Sequence, residues 1–166
     1  MSLVQDLAGW LRWERQGKLS REYALRGQGG EIASLAWPKP LLDQAEGRIG
    51  GQAYALSRRG ILHPVAKVLR APFDDEVAIA RLSIGGARIE LAHGAAYELT
   101  RPSAWKTRWT LVDDQGRELA SINVPALKAR VGEVAVSTEG RREKYLPLLL
   151  LISWYVIVPK LGQGGG

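Results

Sequence analysis

The sequence predicts a mostly β fold, a closed antiparallel β-barrel of about ten to twelve strands wrapped around a C-terminal apolar central helix. Three observations support this. Turn-forming residues recur about every 8 to 12 positions, the spacing of short strands joined by tight connections. The segments between them alternate apolar and polar side chains, the period of a strand with one buried face. Near the C-terminus, residues 145–158 form a run in which Ser153 is the sole clearly polar side chain.

With 166 residues, 46% apolar and 24% charged, the chain has the size and composition of one ordinary globular domain. A single domain over residues 1–161 is expected, followed by a flexible Gly-rich tail at 162–166. Cysteine is absent, which removes disulfides, thiolate nucleophiles and Cys-based metal sites. Residues 1–17 carry no basic residue before Arg12 and no apolar run of the length a secretory signal needs. A cytoplasmic chain is expected, at most peripheral to a membrane.

The turn signals fall at residues 27–30, Gly50-Gly51, Arg58-Arg59-Gly60, Asp74-Asp75, Gly85-Gly86, His93-Gly94, residues 113–116 and Thr138-Glu139-Gly140. Between them Tyr23/Leu25, Ile32/Ser34/Ala36, Tyr54/Leu56, Ile79/Leu82, Ile89/Leu91, Trp109/Leu111 and Leu119/Ile122 give the alternation. Gly85 and Gly86 suit both positive-φ positions of a two-residue hairpin, and Asp113 to Gly116 suit a type I turn closed by a glycine bulge. Roughly ten strands precede residue 138, nearly all joinable as antiparallel neighbours. Only residues 3–12 offer a possible helix in that stretch, and the absence of a βαβ pattern disfavours a parallel nucleotide-binding sheet.

The apolar run decides the architecture. Pro147 suits the first turn of a helix and Pro159 its stop, which places the helix at about 143–158. A helix apolar on every face must be enclosed by protein or lipid. Fourteen helical residues span about 21 Å, short of a hydrocarbon core of about 30 Å. A barrel around the helix solves both its exposure and that of the sheet edges. A tail anchor over residues 145–158 is the alternative.

The layout Trp10-Leu11-Arg12-Trp13, then Lys18 through Leu25, then Gly30 through Trp37, with the apolar helix at the end, resembles the tubby-like barrel superfamily. That group includes tubby C-terminal domains, phospholipid scramblases and plant LURP-one-related proteins. The resemblance implies a twelve-stranded closed barrel with a C-terminal central helix. It implies much less about activity, since tubby domains bind phosphoinositides, scramblases are linked to lipid movement and many LURP-one-like members have no assigned role. Animal scramblases place an acidic calcium-binding segment before the terminal helix, whereas residues 138–144 here are net basic. No phosphoinositide-binding residue carries over from the tubby pattern.

No catalytic, metal or cofactor site is expected. His63 and His93 are the only histidines, and neither lies in a Gly-x-Ser-x-Gly, His-Glu-x-x-His or phosphate-loop motif. Asp74-Asp75-Glu76 lacks the spaced oxygens of a calcium loop and reads as a solvated turn. Glu90 and Glu118 could form a carboxylate pair only if the barrel brought them together. In Trp105-Lys106-Thr107-Arg108-Trp109, strand geometry puts the tryptophans on one face and the cations on the other. Outward indoles would suit a nucleic-acid or membrane surface; inward ones would pack on the helix.

The net charge is +6, distributed as +1 over residues 1–50, +1 over 51–100 and +4 over 101–166. Lys128, Arg130, Arg141, Arg142 and Lys144, with Lys106 and Arg108, are the predicted anion- or lipid-binding residues, the first five forming a basic rim at one barrel end. The expected function is therefore a non-enzymatic, monomeric binding module for anionic phospholipid headgroups at a membrane surface. A nucleic-acid-binding barrel and a tail-anchored structural protein are the alternatives.

Overall fold

A sheet with one buried face leaves two unpaired edges unless it closes on itself. In the computed structural model, which describes residues 9–18, 20–39, 43–72, 74–102, 107–125 and 131–161, the closure is complete. The strands are β1 (Leu11–Arg15), β2 (Glu22–Gly27), β3 (Gly30–Ala36), β4 (Ala45–Ile49), β5 (Gln52–Arg59) and β6 (Val65–Arg70). They continue as β7 (Asp75–Ser83), β8 (Gly86–Leu91), β9 (Ala96–Thr100), β10 (Arg108–Asp113), β11 (Glu118–Asn123) and β12 (Val131–Val136). Each pairs antiparallel with its neighbours in the chain, and β1 closes the barrel against β12, with Leu11 opposite Val134 and Trp13 opposite Gly132.

Two helices follow, α1 (Thr138–Arg142) and α2 (Leu146–Leu161). Helix α2 is buried from Leu146 to Val158, which satisfies the requirement of an all-round apolar helix for complete enclosure. It starts at the barrel end that also holds the β2–β3, β4–β5, β6–β7, β8–β9 and β10–β11 turns, here termed proximal. It finishes at the distal end, among the β1–β2, β3–β4, β5–β6, β7–β8, β9–β10 and β11–β12 connections. Among the described residues no helix is long and apolar enough to cross a membrane.

A helix inside the barrel leaves little room, so inward positions that meet it closely are small. A Cβ added at Gly47 would lie 2.7 Å from Leu151 Cδ2, and one at Gly132 would lie 2.5 Å from Trp154 Cζ3. Ala66, Ala78 and Ala80 are buried on the adjacent strands β6 and β7. Larger groups fill the remainder as an aromatic chain. Trp13 stacks on Trp154 at 5.7 Å, Tyr23 meets Trp154 and Trp37 edge-on, and Trp37 stacks on Tyr155 at 5.7 Å.

Several expectations change locally. The alternation in β3 is reversed: Ala33, Leu35 and Trp37 are buried while Ser34 and Ala36 are half-exposed, because a bulge opposite Leu25/Arg26 inserts Ile32 and shifts the face. In β7 the alanines face the helix and Ile79 does not, since the filled interior favours small groups there. The β7–β8 turn is Ile84-Gly85, with Gly86 already paired to Ser83; a Cβ at Gly86 would lie 1.7 Å from the Leu99 carbonyl oxygen. Leu11 and Arg12 belong to β1 rather than to a helix, and the rest of that segment up to residue 8 lies outside the described residues.

Thr138 to Gly140 is part of α1, not a turn, because the Ser137 hydroxyl caps it by accepting from the Gly140 amide at 3.0 Å. Helix α2 begins at Leu146 and runs through Pro159 to Leu161. Pro159 removes a single N–H from the last turn, while Lys160 in the same turn bonds to the β7–β8 hairpin. The expected type I turn with a glycine bulge is present: Gly116 has φ +76° and donates to the Asp113 carbonyl at 3.0 Å.

Candidate functional site

The distal end combines two features that soluble surfaces seldom place together. Gly60, at φ +91°, lets the β5–β6 connection turn sharply and present Ile61 and Leu62. The adjacent β7–β8 hairpin presents Ile84. Their exposures are 96%, 88% and 97%, so three large aliphatic side chains stand in water at neighbouring tips. The two connections are braced: Leu82 N–H donates to the Pro64 carbonyl at 3.0 Å, and Arg101 N–H to the Gly85 carbonyl at 2.9 Å.

Between and beneath these tips lies a cavity of about 510 Å³ whose basic lining residues are Arg58, Arg101 and Lys160. Its floor is formed by Tyr155 and Pro159 of α2. The Lys160 ammonium donates to the Ser83 carbonyl and, at 3.1 Å, to the Ile84 carbonyl, tying the end of α2 to the hairpin that bears Ile84. Burial, reinforced by the positive charges of Arg101 and Arg58, holds this ammonium below the ordinary lysine range. An anion in the cavity would relieve that repulsion.

Arg101 lies over the Trp109 ring at 4.8 Å, and its Nε is buried without a hydrogen-bond partner among the described residues. Asp43 also lines the cavity; its backbone carbonyl accepts from the Tyr155 hydroxyl. Burial, then Asp43, pushes the Tyr155 phenol up, against the opposing pull of Arg58. Among the described residues neither Arg58, Arg101 nor Lys160 forms an ion pair. The arrangement offers fixed donors and unneutralised positive charge to an anion, ringed by apolar tips.

The predicted site residues are distributed differently. Arg141 and Arg142 are exposed on α1, at the proximal end. Lys144 is exposed there too, with its ammonium 5.5 Å from the centre of the Tyr145 ring. Lys128 and Arg130 lie outside the described residues. Lys106 and Trp105 also lie outside the described residues, while Arg108 is exposed on β10 and pairs with Glu118 at 2.9 Å. Trp109 is buried and packs inward.

His63 is exposed, and His93 stacks on Tyr145 at 4.7 Å. Asp75 and Glu76 pair with Arg70 and Lys67 at 3.2 and 3.9 Å. Glu90 of β8 and Glu118 of β11 are separated by β9 and β10, roughly 14 Å of sheet at ordinary strand spacing.

Sequence reasoning passed over Arg58, Arg101, Lys160 and the three aliphatic tips. The available signal was Gly60-Ile61-Leu62-His63-Pro64, an apolar pair confined between turn residues where no strand could bury it.

In architecture the chain is similar to a protein from Arabidopsis thaliana solved by X-ray crystallography. The TM-score is 0.59 over 93% of this chain and 92% of that one, at 11% identity, a likeness of fold alone. No protein-family model and no curated protein matches the chain.

Proposed function

We propose that this chain is a non-enzymatic lipid-binding barrel of the tubby-like kind, docking its distal end on anionic membrane surfaces. The observation that carries the reading is the cluster of Ile61, Leu62 and Ile84 beside Arg58, Arg101 and Lys160, which form no ion pair among the described residues. Apolar tips gain by entering the acyl boundary, and each cation near an anionic surface contributes about 1 kcal/mol. The barrel wall itself is charged, with Arg81, Arg88, Glu90 and Glu98 linked by ion pairs across β7 to β9. A wall of that kind favours end-on docking over insertion, which needs an apolar outer band.

The test is co-sedimentation with phosphatidylcholine vesicles with and without phosphatidylglycerol. Binding is expected to be markedly stronger to the anionic vesicles, weakened by Arg58→Glu and unaffected by Arg141→Glu/Arg142→Glu. Equal binding to neutral vesicles, or loss from the proximal pair alone, would overturn the docking geometry. Tight, steeply salt-dependent binding to DNA without vesicle binding would favour a nucleic-acid partner instead.

A further inference from the structure

The proximal end contains a separate cavity of about 380 Å³ where α2 enters the barrel. We infer that it is a second binding site, for a medium-chain aliphatic monocarboxylate. Its inner wall is aliphatic, built from Ile49, Val77, Leu91 and Leu148, and its size and apolar character fit small-ligand sites. Allowing about 30 Å³ per group the size of a water molecule, it holds roughly a dozen heavy atoms.

The charged lining favours an anion. Lys144 and Arg70 both line the cavity, and among the described residues no carboxylate does. Arg70 is already paired with Asp75 at 3.2 Å. Lys144 has no ion pair among the described residues and rests over Tyr145. One uncommitted positive charge matches a monoanion better than a phosphate dianion.

Tyr54 supplies the directional contact. It lines the cavity, and among the described residues its hydroxyl has no hydrogen-bond partner. Burial raises its pKa, against a smaller lowering by Arg70, so it remains an O–H donor at neutral pH. A carboxylate between Lys144 and Tyr54 would leave its chain against Leu148 and Val77. The stacked His93 and Tyr145 rings form the lip. This site shares no residue with the distal cavity and does not depend on membrane docking.

The experiment compares decanoate, decanol and decylamine below their aggregation concentrations, using amide chemical-shift titrations of the full chain. Saturable shifts are expected around Leu91 and Leu148 with decanoate, with decanol at least tenfold weaker and decylamine silent. Lys144→Gln should weaken decanoate about tenfold and leave decanol unchanged. Ala92→Trp, at an exposed position lining the cavity, should abolish binding with an unchanged melting temperature. Equal affinity for decanoate and decanol, shifts confined to the distal end, or decanoate binding indifferent to both substitutions would overturn the assignment.

Discussion

Replacing Ile61, Leu62 and Ile84 together by serine separates the apolar from the ionic part of distal docking. All three side chains are almost wholly in water, so the folded state loses little. Surface changes of this sort usually stay within about 0.5 kcal/mol in stability. Full transfer of a Leu or Ile side chain out of water is worth about 1.5–3 kcal/mol. At interfacial depth we take about half, near 1 kcal/mol each, or about 3 kcal/mol for the three. That corresponds to roughly a hundredfold loss in the partition coefficient.

The salt response should change as well. The contribution of Arg58, Arg101 and Lys160 is screened as ionic strength rises, whereas aliphatic insertion is not. The natural chain should therefore keep residual binding to phosphatidylglycerol vesicles at high salt, and the triple-serine chain should lose it entirely. Co-sedimentation at low and high salt reads both effects, with the melting temperature as a check on folding. A triple variant that partitions within twofold of the natural chain would refute the role of the tips.

Two other predictions concern the scaffold. Gly132→Ala puts a methyl group 2.5 Å from the Trp154 ring, and overpacking of this kind costs about 1–3 kcal/mol. Differential scanning calorimetry should register a melting temperature lower by roughly 2–12 °C; an unchanged value would mean that the indole moves aside freely. At Asp113 desolvation raises the carboxyl pKa, but hydrogen bonds from the Arg117 amide and guanidinium and the Gln115 amide outweigh it, leaving a net depression. A depressed folded-state pKa gives stability that is present above the unfolded value, about 3.9, and is lost as pH falls through the folded one. Urea midpoints of Asp113→Asn should accordingly decline less steeply below about pH 4 than those of the natural chain, and superimposable profiles would contradict the linkage.

The legible parts of the chain were those governed by local periodicity. Strands such as β8 and β10 bury the residues that alternation singled out, Ile89 and Leu91, Trp109 and Leu111. The Asp113–Gly116 turn follows from its own residues, because the Asp113 side chain and Gly116 conformation are local properties. Where a bulge intervened, as at Ile32, periodicity alone pointed to the wrong face, since one extra residue inverts the alternation. The helix stop failed for a different reason: Lys160 finds its partners on a hairpin about eighty positions earlier in the chain.

By itself, the sequence determined that short strands must enclose an all-round apolar segment, because neither the sheet edges nor residues 145–158 can remain in water. It also determined the excess of positive charge. Only the tertiary structure decided which charges meet. Arg58, Arg101 and Lys160 come from β5, the β9–β10 connection and the end of α2, yet they line one cavity. Arg141 and Arg142, close in sequence to α2, stand at the opposite end of the barrel. The physical reason is strand direction: in an antiparallel barrel successive connections alternate between ends, so groups far apart in the chain share a rim while those flanking one element are divided by its length.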